Sequence, residues 1–370
     1  MSKIKVLTIF GTRPEAIKMA PLIKEIEKNS DTLESIVCVT AQHRQILDQV
    51  LDLFDIKPDY DLDIMKDNQN LWSLTSDVLL KTKEVIEKVN PDVVLVHGDT
   101  TTSMAAALSA FYAKVPVGHV EAGLRTFDKN NPFPEEINRV FADAVCTYHF
   151  APTDESCENL KKSQIPIEHI YKTGNTVIDA LLYTVKNHQE EVKGLVLNPE
   201  LKTILMTSHR RENFGEPIRE ICKAVLELIE NNNDIEVVYP VHPNPNVRQP
   251  VYELLGNKER IHLIQPLEYA QFCTLMKKSH IILTDSGGVQ EEAPSLGKPV
   301  LVLRETTERP EAIEYGTVKL VGTNKEKIVS TIEKLLRNEQ EYKKMAEAIN
   351  PYGDGLASKR IVNVLQKLKK

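Results

Sequence analysis

The chain has 370 residues, 41% hydrophobic and 27% charged, with a formal net charge of −7; this is too long for one ordinary core, suits two domains, and excludes a general nucleic-acid binder, which needs a basic surface. The five cysteines (Cys38, Cys146, Cys157, Cys222 and Cys273) include no C-x-x-C pair, which fits reduced thiols and not a disulfide framework or a zinc site. No apolar run approaches the roughly 20 residues that span a bilayer, so a cytoplasmic protein with no membrane and no nucleic-acid partner is expected.

Short apolar runs alternate with amphipathic segments. Strands are predicted over 5–10, 35–40, 93–97, 117–120 and 145–150, with helices over 14–28, 44–54, 71–89, 101–113, 135–143 and 154–162 between them. The unbroken run Val93-Val94-Leu95-Val96 reads as a strand buried on both faces of a sheet. Near Gly174-Asn175-Thr176 a hinge is expected, followed by a helix and the polar stretch 187–193. The pattern then restarts, with strands over 203–207, 235–240, 261–264, 281–284 and 300–303 and helices near 218–230, 269–277 and 289–295. A last helix over 357–368 follows Asn350-Pro351-Tyr352-Gly353-Asp354-Gly355. Such alternation implies parallel sheets covered by helices. The expected fold is α/β, with two Rossmann-like domains: residues 1–172, with the helix 356–370 packing back on them, and residues 173–355.

Ligands of open parallel sheets bind beyond the carboxyl ends of the strands, and the unusual residues of this chain fall there. After the first strand come Gly11-Thr12-Arg13-Pro14-Glu15 and, one turn on, Lys18. Arg13 and Lys18 flank a helix start, a place suited to phosphate. After the third strand comes His97-Gly98-Asp99-Thr100, where Asp99 reads either as a helix cap or as an acid–base group. Glu121 ends a buried strand, a costly place for a carboxylate without a task or a partner, and Arg125 is the candidate partner. Glu135 and Glu136 open the next helix, where either can answer its dipole, and Arg139 follows one turn later. Three carboxylates converging on one sheet edge suit acid–base work.

The second half offers Ser208-His209-Arg210-Arg211 after its first strand, and Asp285-Ser286-Gly287-Gly288-Val289-Gln290-Glu291-Glu292 after its fourth. His209 between a strand end and two arginines reads as a phosphate contact and is counted with the catalytic groups. Gly287 and Gly288 let backbone N–H groups approach a diphosphate, Ser286 adds a hydroxyl donor, and Glu292 either accepts from ribose hydroxyls or is an exposed helix residue. There is no G-x-G-x-x-G, no Walker motif, no H-E-x-x-H and no dense His/Cys cluster. No cofactor and no metal are expected.

Taken together, Gly11-Thr12-Arg13-Pro14-Glu15-Ala16-Ile17-Lys18, His97-Gly98-Asp99-Thr100, His119-Val120-Glu121-Ala122-Gly123-Leu124-Arg125, the Asp285–Glu292 run, Thr307-Glu308-Arg309-Pro310-Glu311 and the terminal Asn350–Gly355 run closely resemble the non-hydrolysing UDP-N-acetylglucosamine 2-epimerases. The resemblance spans essentially the whole chain. It implies the two-domain glycosyltransferase-B architecture with an active site in the interdomain cleft, a homodimer, and interconversion of UDP-GlcNAc and UDP-ManNAc for surface polysaccharides. It also implies that Asp99, Glu121 and Glu135 are the acid–base carboxylates, and that Arg13, Lys18, His209, Ser286, Gly287 and Gly288 meet the diphosphate. Phe272 is implied as a uridine contact, Glu292 as a ribose contact, and Arg309 and Arg139 as further substrate-site residues. Gln42, Gln45, Arg210 and His242 resemble a second, activating substrate site, whereas Asn68 stands where some activated relatives carry an arginine.

Without a ketone beside C2 and without a nicotinamide to create one, elimination is the expected route. UDP leaves C1, a carboxylate takes the C2 proton from the charged ring to give 2-acetamidoglucal, and proton and UDP add back. A hydrolysing epimerase that releases ManNAc and UDP, a glycosyltransferase of the same architecture and a silent UDP-sugar sensor are the competing readings.

Overall fold

The computed structural model describes residues 3–40, 44–64 and 69–368, with residues 44–46 described by backbone alone. The chain forms two compact units, Met1–Tyr183 with Tyr352–Lys370, and Thr184–Pro351.

The first unit holds strands β1 (Ile4–Phe10), β2 (Leu33–Val39), β3 (Tyr60–Asp61), β4 (Val93–His97), β5 (Val117–Val120), β6 (Tyr148–Ala151) and β7 (Ile170–Lys172). They form one sheet in the order β3-β2-β1-β4-β5-β6-β7, with every pair parallel. Strand periodicity explains why both faces are apolar. Val6 and Phe10 point to one face and join Met19, Leu22, Ile23 and Ile26 of the helix Arg13–Lys28. Leu7 and Ile9 point to the other and join Val78, Val85 and Ile86 of the helix Leu71–Val89. Each such side chain contributes about 1.5–3 kcal/mol when fully buried.

The last helix, Ala357–Leu365, adds Ile361, Val362 and Leu365 to the first of these cores. Ala357 N and Ser358 N donate to the Asp179 carboxylate at 3.2 and 2.8 Å. Gln366 Nε2 donates to Asn29 Oδ1 and Thr32 Oγ1. The first unit continues beyond the expected boundary at 172, through Tyr183. The reason is the helix Thr176–Asn187, whose Ala180 belongs to this core and whose Tyr183 stacks on Phe54 at 5.2 Å. Residues 352–355 belong to it too.

The second unit repeats the plan with β8 (Lys202–Thr207), β9 (Ile235–Pro240), β10 (Ile261–Ile264), β11 (Ile281–Thr284), β12 (Val300–Val302) and β13 (Val318–Leu320). Their order is β10-β9-β8-β11-β12-β13, again all parallel. Both sheets are doubly wound, so each has a switch point where successive connections leave in opposite directions. These lie between β1 and β4 and between β8 and β11.

Some elements depart from expectation for local reasons. The edge strands β3, β7 and β13 have two or three residues, too few to show a period. Strand β6 starts at Tyr148 because the helix Glu135–Val145 runs on to where a strand was expected. The helix Pro245–Leu255 contains Pro250, which reads as a breaker, and the helices Lys325–Arg337 and Glu339–Ala346 lie in a charged stretch. Among the described residues no helix is long and apolar enough to cross a membrane.

Candidate active site

The switch point of the first unit is built on close backbone approach. A Cβ on Gly11 would lie 2.0 Å from Thr40 Oγ1 and 2.9 Å from Thr102 Oγ1, so only glycine lets β1 turn here against its neighbours. Glu15 is buried. Its Oε2 accepts from Gly11 N (3.1 Å) and Thr12 N (2.7 Å), and its Oε1 accepts from Thr100 Oγ1 (2.7 Å) and Ser103 Oγ (3.0 Å). One carboxylate thus ties the turn after β1 to the turn after β4. Arg13, beside it, is half-buried and makes no ion pair with a described residue.

Asp99 does not cap the helix that follows it. Thr100 does, accepting from Ser103 N at 3.0 Å. The Asp99 carboxylate is left for Arg139 Nη2, with which it forms an ion pair, and its carbonyl accepts from Asn138 Nδ2 at 3.0 Å. Glu121 sits in left-handed backbone at φ 65°, a strained conformation for a residue with a side chain and one that concentrates at working sites.

Arg125 is not the partner of Glu121; it donates to Asp143 at 2.6 Å. Glu121 Oε2 instead meets Lys18 Nζ in an ion pair, Asn175 Nδ2 at 2.8 Å and His97 Nε2 at 3.6 Å. Burial alone would raise the Glu121 carboxyl, but Lys18 and then His97 hold it well below the ordinary carboxylate range. The group is ionised. Its Oε1 accepts from no described residue and faces Gly98. Lys18, expected on a diphosphate, is committed to this carboxylate.

Of the two glutamates opening the helix Glu135–Val145, Glu136 is the structural one. It accepts from Thr126 N and Phe127 N at 3.0 Å and pairs with Arg139 Nη1 at 3.2 Å. Glu135 is half-buried with no partner among the described residues.

In the second unit Asp285 organises the switch point. Fully buried, its Oδ2 accepts from Ser208 Oγ (3.0 Å), His209 N (2.8 Å), Arg210 N (2.9 Å) and Asn213 Nδ2 (2.9 Å). Its Oδ1 lies 3.2 Å from His209 Nδ1. Burial would raise this carboxyl; the His209 ring and the backbone donors hold it lower than usual. The His209 ring stands 5.8 Å from that of His242, nearly parallel to it.

The guanidinium groups of Arg309 and Arg210 both stand over Gly287, 3.7 and 3.8 Å from where a Cβ would be. Arg309 also pairs with Glu291, while Arg210 Nε is buried with no partner among the described residues. Arg210 and His242 therefore stand at the Gly287–His209 end of the sheet. Ser286 starts the helix Gly287–Glu292 without using its side chain as a cap, and Gly288 follows beside it. Glu292 is not exposed. It is 7% accessible and accepts from Tyr269 Oη at 2.7 Å. Phe272 is half-buried on the neighbouring helix Tyr269–Lys278. Gln42 and Asn68 lie outside the described residues, and the Gln45 side chain is not described.

The sequence model of the family described as UDP-N-acetylglucosamine 2-epimerase matches residues 24–366. A UDP-N-acetylglucosamine 2-epimerase of Bacillus subtilis (strain 168) is 56% identical over 366 residues, covering 99% of this chain and 96% of the relative. The chain belongs to the UDP-N-acetylglucosamine 2-epimerase family. Among solved structures, the UDP-GlcNAc 2-epimerase of Neisseria meningitidis bound to UDP-GlcNAc is 53% identical, with TM-score 0.88 over 99% of this chain and 100% of that one. A co-structure of S. aureus MnaA with UDP is 49% identical, with TM-score 0.85 over 98% and 96%.

Within this epimerase, reasoning from the sequence overlooked the residues that position others. Asn175 was read only as part of a hinge, although its amide holds Glu121. Asp285 was read as the start of a glycine turn, although it anchors the His209 loop. The available signal is the same for both: a short polar residue just beyond a strand end, where its side chain can reach groups on neighbouring turns.

Proposed function

We propose that the chain interconverts UDP-GlcNAc and UDP-ManNAc without net hydrolysis, with the first unit working on the hexose and the second holding the UDP. The carrying observation is Glu121, a carboxylate held ionised with Oε1 left for a ligand. Asp99 and Glu135 stand on the turns at the same sheet edge. The C1–O bond breaks and UDP departs with the electron pair. A carboxylate takes the C2 proton, leaving 2-acetamidoglucal. A proton then reaches the opposite face of C2 while a UDP oxygen re-forms the bond to C1. Each positioned acid or base supplies about 10²–10⁴-fold in rate. Donors preorganised on the leaving diphosphate add several kcal/mol, and Arg13, Arg210, Arg309, His209 and the Ser286–Gly288 backbone are those assigned to it. The product supplies N-acetylmannosamine units for surface polysaccharide.

The protein is further proposed to work as a homodimer. Trp72 and Leu80 on the helix Leu71–Val89, Phe111 and Tyr112 on the helix Thr101–Tyr112, and Ile137 and Val140 on the helix Glu135–Val145 are exposed apolar residues on mutually packed helices. Monomers rarely leave such an area uncovered.

Proton NMR of the purified protein with UDP-GlcNAc in D₂O tests the chemistry. UDP-ManNAc carrying deuterium at C2 is expected. Accumulation of free UDP with ManNAc would instead identify a hydrolase, and unchanged UDP-GlcNAc would refute both.

A further inference from the structure

Beneath the turn that carries Asp99 lies a buried charged cluster that the acid–base reading leaves unused. His119, on β5, is fully buried. Its Nδ1 is 2.6 Å from Asp143 Oδ1 and its Nε2 is 2.7 Å from the carbonyl oxygen of Gly98. A carbonyl can only accept. Asp143 also accepts from Arg125 Nη2 at 2.6 Å on its other oxygen, and although burial would raise it, His119 and Arg125 hold it low and ionised. Neither neighbour has a proton to offer His119, so both ring nitrogens must donate. An imidazole that donates twice is an imidazolium.

The cluster is placed where the three acid-bearing elements meet. His119 lies two residues before Glu121 on β5. Asp143 belongs to the helix Glu135–Val145, which also carries Glu135, Asn138 and Arg139. Gly98 precedes Asp99 in left-handed backbone at φ 64°. It is pinned to β5 twice, by its N–H to Val120 O at 2.9 Å and by its carbonyl to His119. Stability alone does not explain such a group, because a buried ion cluster is often no more stabilising than apolar side chains of the same volume.

We infer that His119 is a positioning residue, protonated throughout the working pH range, whose two N–H bonds lock the Gly98 turn to the helix Glu135–Val145 and so aim Asp99. The titratable and charged groups facing it are Asp143 from that helix, Arg125 from the loop after β5, and His149, its partner in register on β6, which donates to Asp143 O at 2.9 Å. From β4 it meets apolar Val96. Burial lowers the imidazolium's pKa and Asp143 raises it; the balance is upward from 6.5. The bonds are therefore intact below 6.5 and are lost as pH rises through the higher folded value.

The inference rests on Asp99 as a reacting group, and the test separates the two. In ¹⁵N-histidine-labelled full-length protein, the ring signals absent from His119→Gln should show both nitrogens protonated at pH 7.5 and throughout the pH range over which kcat is flat. A bare nitrogen at pH 7.5, or kcat unchanged through its deprotonation, overturns the inference. His119→Gln should lower kcat about 10²-fold, the cost of a misplacement near 1 Å, with KM and UDP affinity unchanged. Full turnover in His119→Gln beside an inactive Asp99→Asn overturns the positioning role alone. Full turnover in Asp99→Asn overturns the reading beneath it.

Discussion

Lys18→Met separates two roles that place one ammonium in different company. In the structure Lys18 is the cation on Glu121, with side-chain exposures of 16% and 8%. Methionine keeps the stem and removes the charge. Glu121 then retains the Asn175 amide at 2.8 Å and His97 at 3.6 Å. Breaking a buried ion pair from one side costs about 3–5 kcal/mol, and the surviving donors place this site at the lower end, about 3 kcal/mol. In a domain of about 200 residues, each kcal/mol moves Tm by about 2–4 °C, so a fall of about 6–12 °C is expected. The deficit depends on pH. A carboxyl held below 4.5 contributes stability above that value and loses it as pH falls through its folded pKa. Variant and parent should differ most near neutrality and converge in acid. Turnover should fall about 10²–10⁴-fold because the proposed base is no longer held in place, while titration with UDP should show unchanged affinity. Lys18→Met/Glu121→Gln should be more stable than Lys18→Met alone, since no orphaned charge remains. An unaltered Tm at pH 7.5 together with UDP affinity reduced tenfold or more would refute this account and make Lys18 a diphosphate ligand.

Two adjacent glutamates give a contrast. Glu136→Gln should cost about 2–3 kcal/mol, through weakened bonds to the Thr126 and Phe127 amides and to Arg139, and should be seen in urea unfolding. Glu135→Gln should unfold within about 0.5 kcal/mol of the parent yet lose about 10²–10⁴-fold in kcat; the opposite pattern would exchange their roles. For the homodimer, Leu80→Asp combined with Phe111→Asp should halve the mass measured by light scattering after size-exclusion chromatography, and a parent that is already monomeric at micromolar concentration refutes that assembly.

What was legible in the sequence is what depends on neighbours along the chain. Short β-rich runs before Gly11, His97, Glu121 and Asp285 mark strands, and the residues just beyond them mark the strand ends where ligands bind. What was hidden depends on partners brought close only by the fold. Lys18 and Glu121 are 103 positions apart, and His209 and Asp285 are 76 apart. Local reasoning therefore gave Glu121 its nearest arginine, Arg125, while the sheet order delivers Lys18 from the helix after β1. It likewise allowed Asp99 a capping role, because nothing in His97-Gly98-Asp99-Thr100 says which of two polar residues turns inward. Thr100 does, drawn by Glu15 from 85 positions away.

The pinning of Glu121 also bears on the order of bond breaking in the proposed reaction. A carboxylate whose pKa is driven down by Lys18 and His97 is always ionised but is a weak base. Such a group has little power to remove hydrogen from carbon in an intact, neutral hexose. It becomes adequate once positive charge has developed on the ring, because the C2 hydrogen is then acidic. In the proposed reaction the same negative charge would stabilise that cation before any proton moves. Departure of UDP from C1 therefore comes first, and the work that lowers the barrier shifts toward the donors on the diphosphate. Within the second unit Arg309 is held by Glu291, so of the two guanidinium groups over Gly287 it is Arg210 whose capacity a proposed diphosphate could take up without first breaking an ion pair with a described residue.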